Sequence, residues 1–271
     1  MEHRHDHDGG TSSRPFEFVN VDGAAPMLLL CDHASNRVPS DLDALGLNDR
    51  QLASHIAWDI GAADVVRELA RLLDAPAVLS RTSRLVVDAN RRPGTGSLIP
   101  EEVDGSVVPG NLGLSEADRD RRVERFHHPY HRAIAERLEA MGSDGSVPTV
   151  VSIHSFTPVM NGMERPWQIG ILSGVDRRLS LHLISHLRAE GLVVGDNEPY
   201  SGSDVYGYTV NQHAESTGLP NVTVELRQDL IATPHSVVDW AERLARTLGA
   251  RPENAQRCVP FSTTPANASG F

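Results

Sequence analysis

The chain contains no lysine: all 25 of its basic residues are arginine. That absence excludes a phosphate-loop lysine, a Schiff-base or pyridoxal lysine and a serine–lysine dyad. No G-x-S-x-G sequence places a serine nucleophile on a strand-to-helix elbow. Two cysteines, Cys31 in an apolar run and Cys258 near the C-terminus, are too few for a disulfide framework. No apolar run approaches the ~18 residues of a membrane-spanning helix, and the polar N-terminus has no signal-peptide core. With a formal net charge of −11, the surface repels nucleic acid and anionic membranes alike. The expectation is a cytoplasmic protein whose partner is a small molecule, with no nucleic acid and no membrane. Metal-assisted or histidine and carboxylate chemistry is what these absences leave.

The 271 residues are enough for one large α/β domain with an ample core. Residues 1–15 are polar, with His3, His5 and His7 alternating, and read as a disordered tail. Residues 16–249 read as a single domain, and 250–271 as a loose or extended tail. Short aliphatic or β-branched runs predict strands at 26–31, 76–80, 84–88, 148–153, 168–173, 192–195, 206–210 and 221–226. Helical periodicity predicts helices at 49–74, 115–141, 177–190 and 236–248. Asn48 with Gln51 has the spacing of a capping box, and Pro129 is expected to kink or split the second helix. Strands alternating with amphipathic helices imply a three-layer α/β/α fold, its mixed, mostly parallel sheet covered on both faces. Ligands of such sheets sit beyond the carboxyl ends of the strands. Residues 92–114, rich in glycine and proline, are expected to form a long loop over that region.

Four of the apolar runs end in groups able to hold a metal or an anion. Leu28–Cys31 leads to Asp32 and His33, Val151–Ile153 to His154, and Val222–Val224 to Glu225. Leu85–Val87 leads to Asp88, Asn90 and Arg91. Two imidazoles with one carboxylate are the ligands of a catalytic zinc that keeps an open position for water. His33 and His154 are the candidate imidazoles. For the third ligand, Asp32 adjoins His33 but faces the opposite side if the strand continues through it, and the amide of Asn36 is a poor zinc ligand. Asp59, among apolar neighbours in Ile56–Gly61, is costly to bury without a cation and is preferred; a salt bridge or a role orienting a histidine is its alternative. Glu225 is the candidate general base, with an ion pair to Arg227 or Arg84 as its other reading. Arg84, Asn90 and Arg91 suit a carboxylate clamp, because guanidinium binds carboxylate bidentately and the amide adds a donor. The His127, His128 and His131 group reads as packed helix side chains rather than a second metal centre. Asn197–Gly202 is turn-rich and reads as a specificity loop.

Taken in order, these segments resemble the N-formylglutamate amidohydrolase family, within the zinc-dependent exopeptidase-like group. The motifs that carry the resemblance are Asp32-His33-Ala34-Ser35 with Pro39, Trp58-Asp59-Ile60-Gly61-Ala62, Arg84 to Arg91, Pro129-Tyr130-His131, Ile153-His154-Ser155-Phe156, Asn197 to Gly202 and Glu225-Leu226-Arg227. The resemblance implies a zinc-exopeptidase-like domain that hydrolyses an N-acyl group from an acidic amino acid, formylglutamate giving formate and glutamate. It also implies His33 and His154 as metal ligands, Arg84, Asn90 and Arg91 as substrate binders and Glu225 as the base. Asn36 departs from the pattern, standing where exopeptidases commonly carry a ligating glutamate. Two further readings remain at this point. One is a deacylase or carboxypeptidase for another N-acyl amino acid or peptide. The other, favoured by Asn36, is a non-catalytic binder of amino-acid-like anions.

Overall fold

The computed structural model describes residues 14–160, 162–200, 207–252, 254, 257 and 258. Nearly all of the expected N-terminal tail and most of the C-terminal one lie outside these residues, as do residues 201 and 202 of the 197–202 segment. Seven strands form one sheet: β1 (Phe16–Val19), β2 (Met27–Cys31), β3 (Ala77–Ser80), β6 (Thr149–Phe156), β9 (Ile169–Leu172), β10 (Val194–Asp196) and β11 (Asn221–Arg227). Their order is β1-β3-β2-β6-β11-β9-β10. Two small hairpins lie apart from it, β4 (Glu102–Val103) with β5 (Ser106–Val107), and β7 (Val159–Met160) with β8 (Met163–Glu164). The inner strands β3, β2, β6 and β11 run parallel, and β10 runs parallel to β9. The pairs β1–β3 and β11–β9 are antiparallel, so the sheet is mixed and mostly parallel, as expected.

Side-chain alternation divides the core into two layers. Met27, Leu29, Val151, Ile153, Val222 and Val224 point to one face. There they meet α2 (Ala62–Leu73), α5 (Arg178–Ala189) and α7 (Pro234–Gly249). Leu28, Leu30 and Val150 point to the other, against α4 (His128–Met141) and α6 (Tyr208–His213). The three-layer α/β/α expectation holds. By the same alternation, His154 on β6 and Glu225 on β11 belong to the α4/α6 face, two residues beyond Ser152 and Thr223. Among the described residues no helix is long and apolar enough to cross a membrane.

Several local expectations are corrected. Residues 84–88 form no strand; they lie in turns, with Val86 N bonded to Ser83 O at 3.0 Å and Asp88 N to Leu98 O at 2.7 Å. Leu85, Val86 and Val87 instead bury against Leu45, Ile56 and Ile99 in a separate apolar cluster, so burial alone accounts for their hydrophobicity. The predicted helix 49–74 is two helices, α1 (Asp49–Leu52) and α2, joined through turns over 53–61. Gly61 ends the break with φ +80°, and a Cβ there would sit 2.6 Å from the Ile231 carbonyl oxygen. The Asn48–Gln51 capping box is present on α1. Residues 208–210, expected in a strand, belong to α6. The helix predicted at 115–141 divides into α3 (Glu116–Arg122), a π turn over Val123–His127, and α4. Pro129 has no N–H for the Arg125 carbonyl, and the widened turn precedes it.

Candidate active site

β2 stops at Cys31, which frees Asp32 and His33 from strict alternation, and both turn toward the end of β6. Asp59 is delivered by the irregular segment before α2, its N–H bonded to the His33 carbonyl at 3.0 Å. His154 lies near the end of β6, with Glu225 directly beside it in the β6–β11 register. All seven candidate site residues, His33, Asp59, Arg84, Asn90, Arg91, His154 and Glu225, line one cavity of about 440 Å³.

The centre is built around one carboxylate oxygen. Asp59 Oδ2 lies 3.3 Å from His33 Nδ1 and 2.7 Å from His154 Nδ1. A ligand atom from each of the three residues lies within 4.8 Å of the others, and all three side chains are buried. Each imidazole meets a second acid with its far nitrogen. His33 Nε2 lies 2.7 Å from Asp88 Oδ1, and His154 Nε2 lies 3.2 Å from Asp32 Oδ2. Such outer carboxylates fix the ring orientation of metal-binding histidines and raise their basicity. Asp32 is held in turn by the Tyr130 hydroxyl, which donates to Oδ1 at 2.9 Å. Arg84 bridges the inner and outer acids, 3.3 Å from Asp59 Oδ1 and 3.0 Å from Asp88 Oδ2.

Burial and the Arg84 guanidinium both disfavour charge on His33, yet Asp88 and Asp59 outweigh them and raise its pKa. Burial also opposes charge on His154, but its hydrogen bonds to Asp32 and Asp59 hold its pKa well above the usual imidazole range. Burial pushes the Glu225 carboxyl up to about 7, with Asp59 adding to the rise and His154 restraining it. Glu225 Oε2 is buried and has no hydrogen-bond partner among the described residues. Arg227 does not pair with it but with Asp229, at 2.8 Å. A partnerless buried carboxylate oxygen beside two imidazoles and a carboxylate fits a site that takes a cation and its ligands.

The Asn90–Arg91 segment is held from behind. Asn90 Oδ1 accepts from Thr209 N at 2.9 Å, at the start of α6. His131 Nε2 donates to the Ala89 carbonyl at 2.8 Å and His127 Nε2 to the Arg91 carbonyl at 3.0 Å. His131 Nδ1 then accepts from His213 Nε2 at 2.8 Å. Burial, with neighbouring histidines adding to it, depresses His131 to about 3; burial likewise takes His213 to about 4. The native state holds both rings neutral, whereas the unfolded chain protonates them near pH 6.5. Their stabilising contribution is therefore complete above about 6.5 and is lost as pH falls towards 3–4. The melting temperature is expected to fall between pH 7 and pH 4, and less steeply in His213→Gln. Equal slopes for the two proteins in thermal melts would remove the pair as the source.

Asn36 donates to the Leu52 carbonyl at 3.0 Å and takes no part in the group of three, so its amide says nothing against a metal there. Asp32 and Asp88, which the sequence places at the ends of apolar runs, stand behind the histidines, and Asp88 also pairs with Arg84. One signal precedes them: each acid stands within five residues of a candidate site histidine or arginine in an otherwise apolar stretch. Val103 and Asp104, from the expected covering loop, line the cavity, as does Tyr200 from the turn-rich segment.

The sequence pattern of the N-formylglutamate amidohydrolase family matches residues 25–232. A gene product of Agrobacterium tumefaciens with a solved structure shares 36% identity at a TM-score of 0.87, over 90% of this chain and 97% of that one. N-formylglutamate amidohydrolase from Ralstonia eutropha JMP134 has the same fold, with a TM-score of 0.68 at 20% identity over 90% of this chain and 99% of that one. No curated protein sequence matches the chain.

Proposed function

The chain belongs to the N-formylglutamate amidohydrolase family, hydrolases of a linear amide bond, and on that premise we propose that it removes a formyl-type N-acyl group from an amino acid by metal-assisted hydrolysis. N-formylglutamate is the substrate that the family name supplies. The observation that carries the reading is the buried His33–Asp59–His154 group with Glu225 beside it, whose buried Oε2 has no hydrogen-bond partner among the described residues. His33 Nδ1, His154 Nδ1 and an Asp59 oxygen would hold one zinc ion, a two-histidine, one-carboxylate set of the kind that leaves a position open. When bound, zinc supplies Lewis acidity, polarising the acyl carbonyl and acidifying a water. Asp88 and Asp32 keep the two rings aimed at that point.

Glu225 takes the proton of the attacking water on its carboxylate and returns it to the departing amine nitrogen. Arg91 and Asn90 bind the carboxylate of the amino acid and so fix the distance from that anchor to the scissile bond. Arg84, already bridging Asp59 and Asp88, balances charge between them and presents its remaining edge to the cavity. Location in the cytoplasm and a single folded domain over 16–249 belong to the same proposal.

The test compares chelator-treated with zinc-restored protein on N-formyl amino acids. Hydrolysis that disappears with chelation and returns with zinc supports the reading, and hydrolysis indifferent to chelator overturns the metal. Arg91→Ala is expected to raise KM by ~10-fold or more, the scale of one charge-assisted contact. An unchanged KM in steady-state kinetics would move the carboxylate anchor elsewhere.

A further inference from the structure

The cavity has a further corner beyond the carboxyl ends of β6 and β11. Phe156, Met160 and Tyr200 line it, and Arg165 touches all three. The β7–β8 hairpin doubles the chain back after Phe156, so that Arg165 N bonds to the Pro158 carbonyl at 2.8 Å. Arg227 Nη1, from the end of β11, donates to the Arg165 carbonyl at 3.5 Å. The Arg165 guanidinium carbon then lies 5.8 Å from the centre of the Phe156 ring and 5.0 Å from that of Tyr200. Phe156 follows His154 by two residues on β6, on the same face of the strand and roughly 7 Å further along.

Arg165 is half-buried, yet no carboxylate among the described residues pairs with it. Arg84 differs, since Asp59 and Asp88 both answer its charge. Arg165 Nη1 donates to the Tyr200 hydroxyl at 3.0 Å, and Nη2 meets only the Met160 sulfur, a weak acceptor. The two aromatic rings favour a cation beside them but accept none of its hydrogen bonds in the ring plane. The Tyr200 hydroxyl accepts from Arg165 and, among the described residues, has no acceptor for its own proton. Burial raises its pKa, so the phenol keeps that proton at neutral pH. Two rings and a thioether therefore wall a corner that offers an unanswered cation and an O–H donor. A carboxylate carried on a short methylene arm is the group that satisfies all of these.

We propose that Arg165, with Tyr200, is a second anion anchor that receives the side-chain carboxylate of an N-formyl acidic amino acid. The inference rests on the amidohydrolase reading and assigns the residue that makes it selective for an acidic side chain. The carboxylate takes the Nη2 edge that the Met160 sulfur satisfies weakly, and the Tyr200 hydroxyl donates to it. Phe156 and Met160 flank the methylenes. The step from His154 to Phe156 along β6 is the span of such a side chain measured from the scissile amide, which places cleavage and charge recognition at opposite ends of one substrate.

The test compares kcat/KM for N-formyl-L-glutamate and its uncharged isostere N-formyl-L-glutamine on the zinc-loaded full chain. The wild type is expected to prefer the glutamate compound by ~10-fold or more, the scale of a hydrogen bond to a charged group. Equal use of the two overturns the inference. Arg165→Met keeps an unbranched side chain against the rings and removes the charge. It is expected to lower the preference by ~10-fold or more, whereas Arg165→Lys keeps most of it. Tyr200→Phe, on a different segment, is expected to lower it by ~3-fold or more through KM, the scale of one neutral donor. An unmoved preference in folded Arg165→Met overturns the anchor. A Tyr200→Phe protein that loses kcat alike on both compounds overturns the part given to its hydroxyl. Failure to hydrolyse either compound would remove the amidohydrolase reading and leave the anchor to be decided by calorimetric titration of the same two compounds. There, no preference for glutamate in the wild type, or one undiminished in Arg165→Met, is the result against it.

Discussion

Glu225→Gln is expected to retain the metal and the substrate and to lose turnover by ~10²-fold or more, the scale of a positioned general base. Glutamine keeps the volume of the side chain and one carbonyl oxygen beside His154, so packing on β11 is preserved. What it loses is the ability to accept a proton. The surroundings already favour that role. Burial lifts the carboxyl to about 7, which places proton uptake and release within reach of each other near neutral pH. The active form is the carboxylate, so kcat/KM is expected to rise with pH through that pKa in the wild type. A bound cation next to Glu225 stabilises the carboxylate and moves the midpoint lower. In the variant the acidic limb of the profile disappears with the activity. Metal analysis beside steady-state kinetics checks the result: a variant with wild-type turnover, or one that has lost its metal, removes Glu225 as the base.

The fold was legible wherever periodicity and burial agree. Residues 26–31, 148–153 and 221–226 are both apolar and bounded by turn residues, and they correspond to the three neighbouring strands β2, β6 and β11. The alternation that makes them strands also decides which of their terminal groups share a face, so His154 and Glu225 could be placed together from sequence. Leu85-Val86-Val87 shows where that reasoning stops. The run is as buried as a strand, but its partners are Ile56 and Ile99 rather than a sheet neighbour, and periodicity cannot tell the two apart. Asp59 was found by its cost: a carboxylate among apolar neighbours needs a partner, and it has His33, His154 and Arg84. Its helix was misread because the helical spacing of Leu52, Ile56, Ile60 and Ala63 continues across a break set by Gly61 and its contact with Ile231. Asp32 stays outside the group of three, as expected, but the alternation argument does not explain it, since β2 ends one residue before it. The contacts of the outer acids with the site histidines, and of the histidines behind Asn90–Arg91, are pairings across 36 to 122 residues, which no local pattern encodes.

His154→Ala is expected to abolish zinc binding at micromolar metal, whereas Asp32→Asn should weaken it by only ~10–100-fold. The gradation follows from what each group touches. His154 Nδ1 faces the shared Asp59 oxygen at 2.7 Å, so its removal takes away one of three donors. Asp32 contacts the far nitrogen of the same ring at 3.2 Å, and asparagine there keeps a hydrogen-bonding oxygen while losing the charge that makes the imidazole a stronger donor to a cation. The apo protein holds its histidines in acidic company that favours protons, and a metal must displace those protons to bind. Zinc affinity in the wild type is therefore expected to tighten as pH rises. Asp32→Asn lowers the His154 pKa by taking the charge from the contact that supports it most, and so flattens that dependence. Competition titrations with a zinc indicator at two pH values read all three quantities. A His154→Ala protein with wild-type affinity, or an Asp32→Asn protein as empty as His154→Ala, would show that the imidazole and the outer acid do not divide the work between binding the cation and aiming the ring.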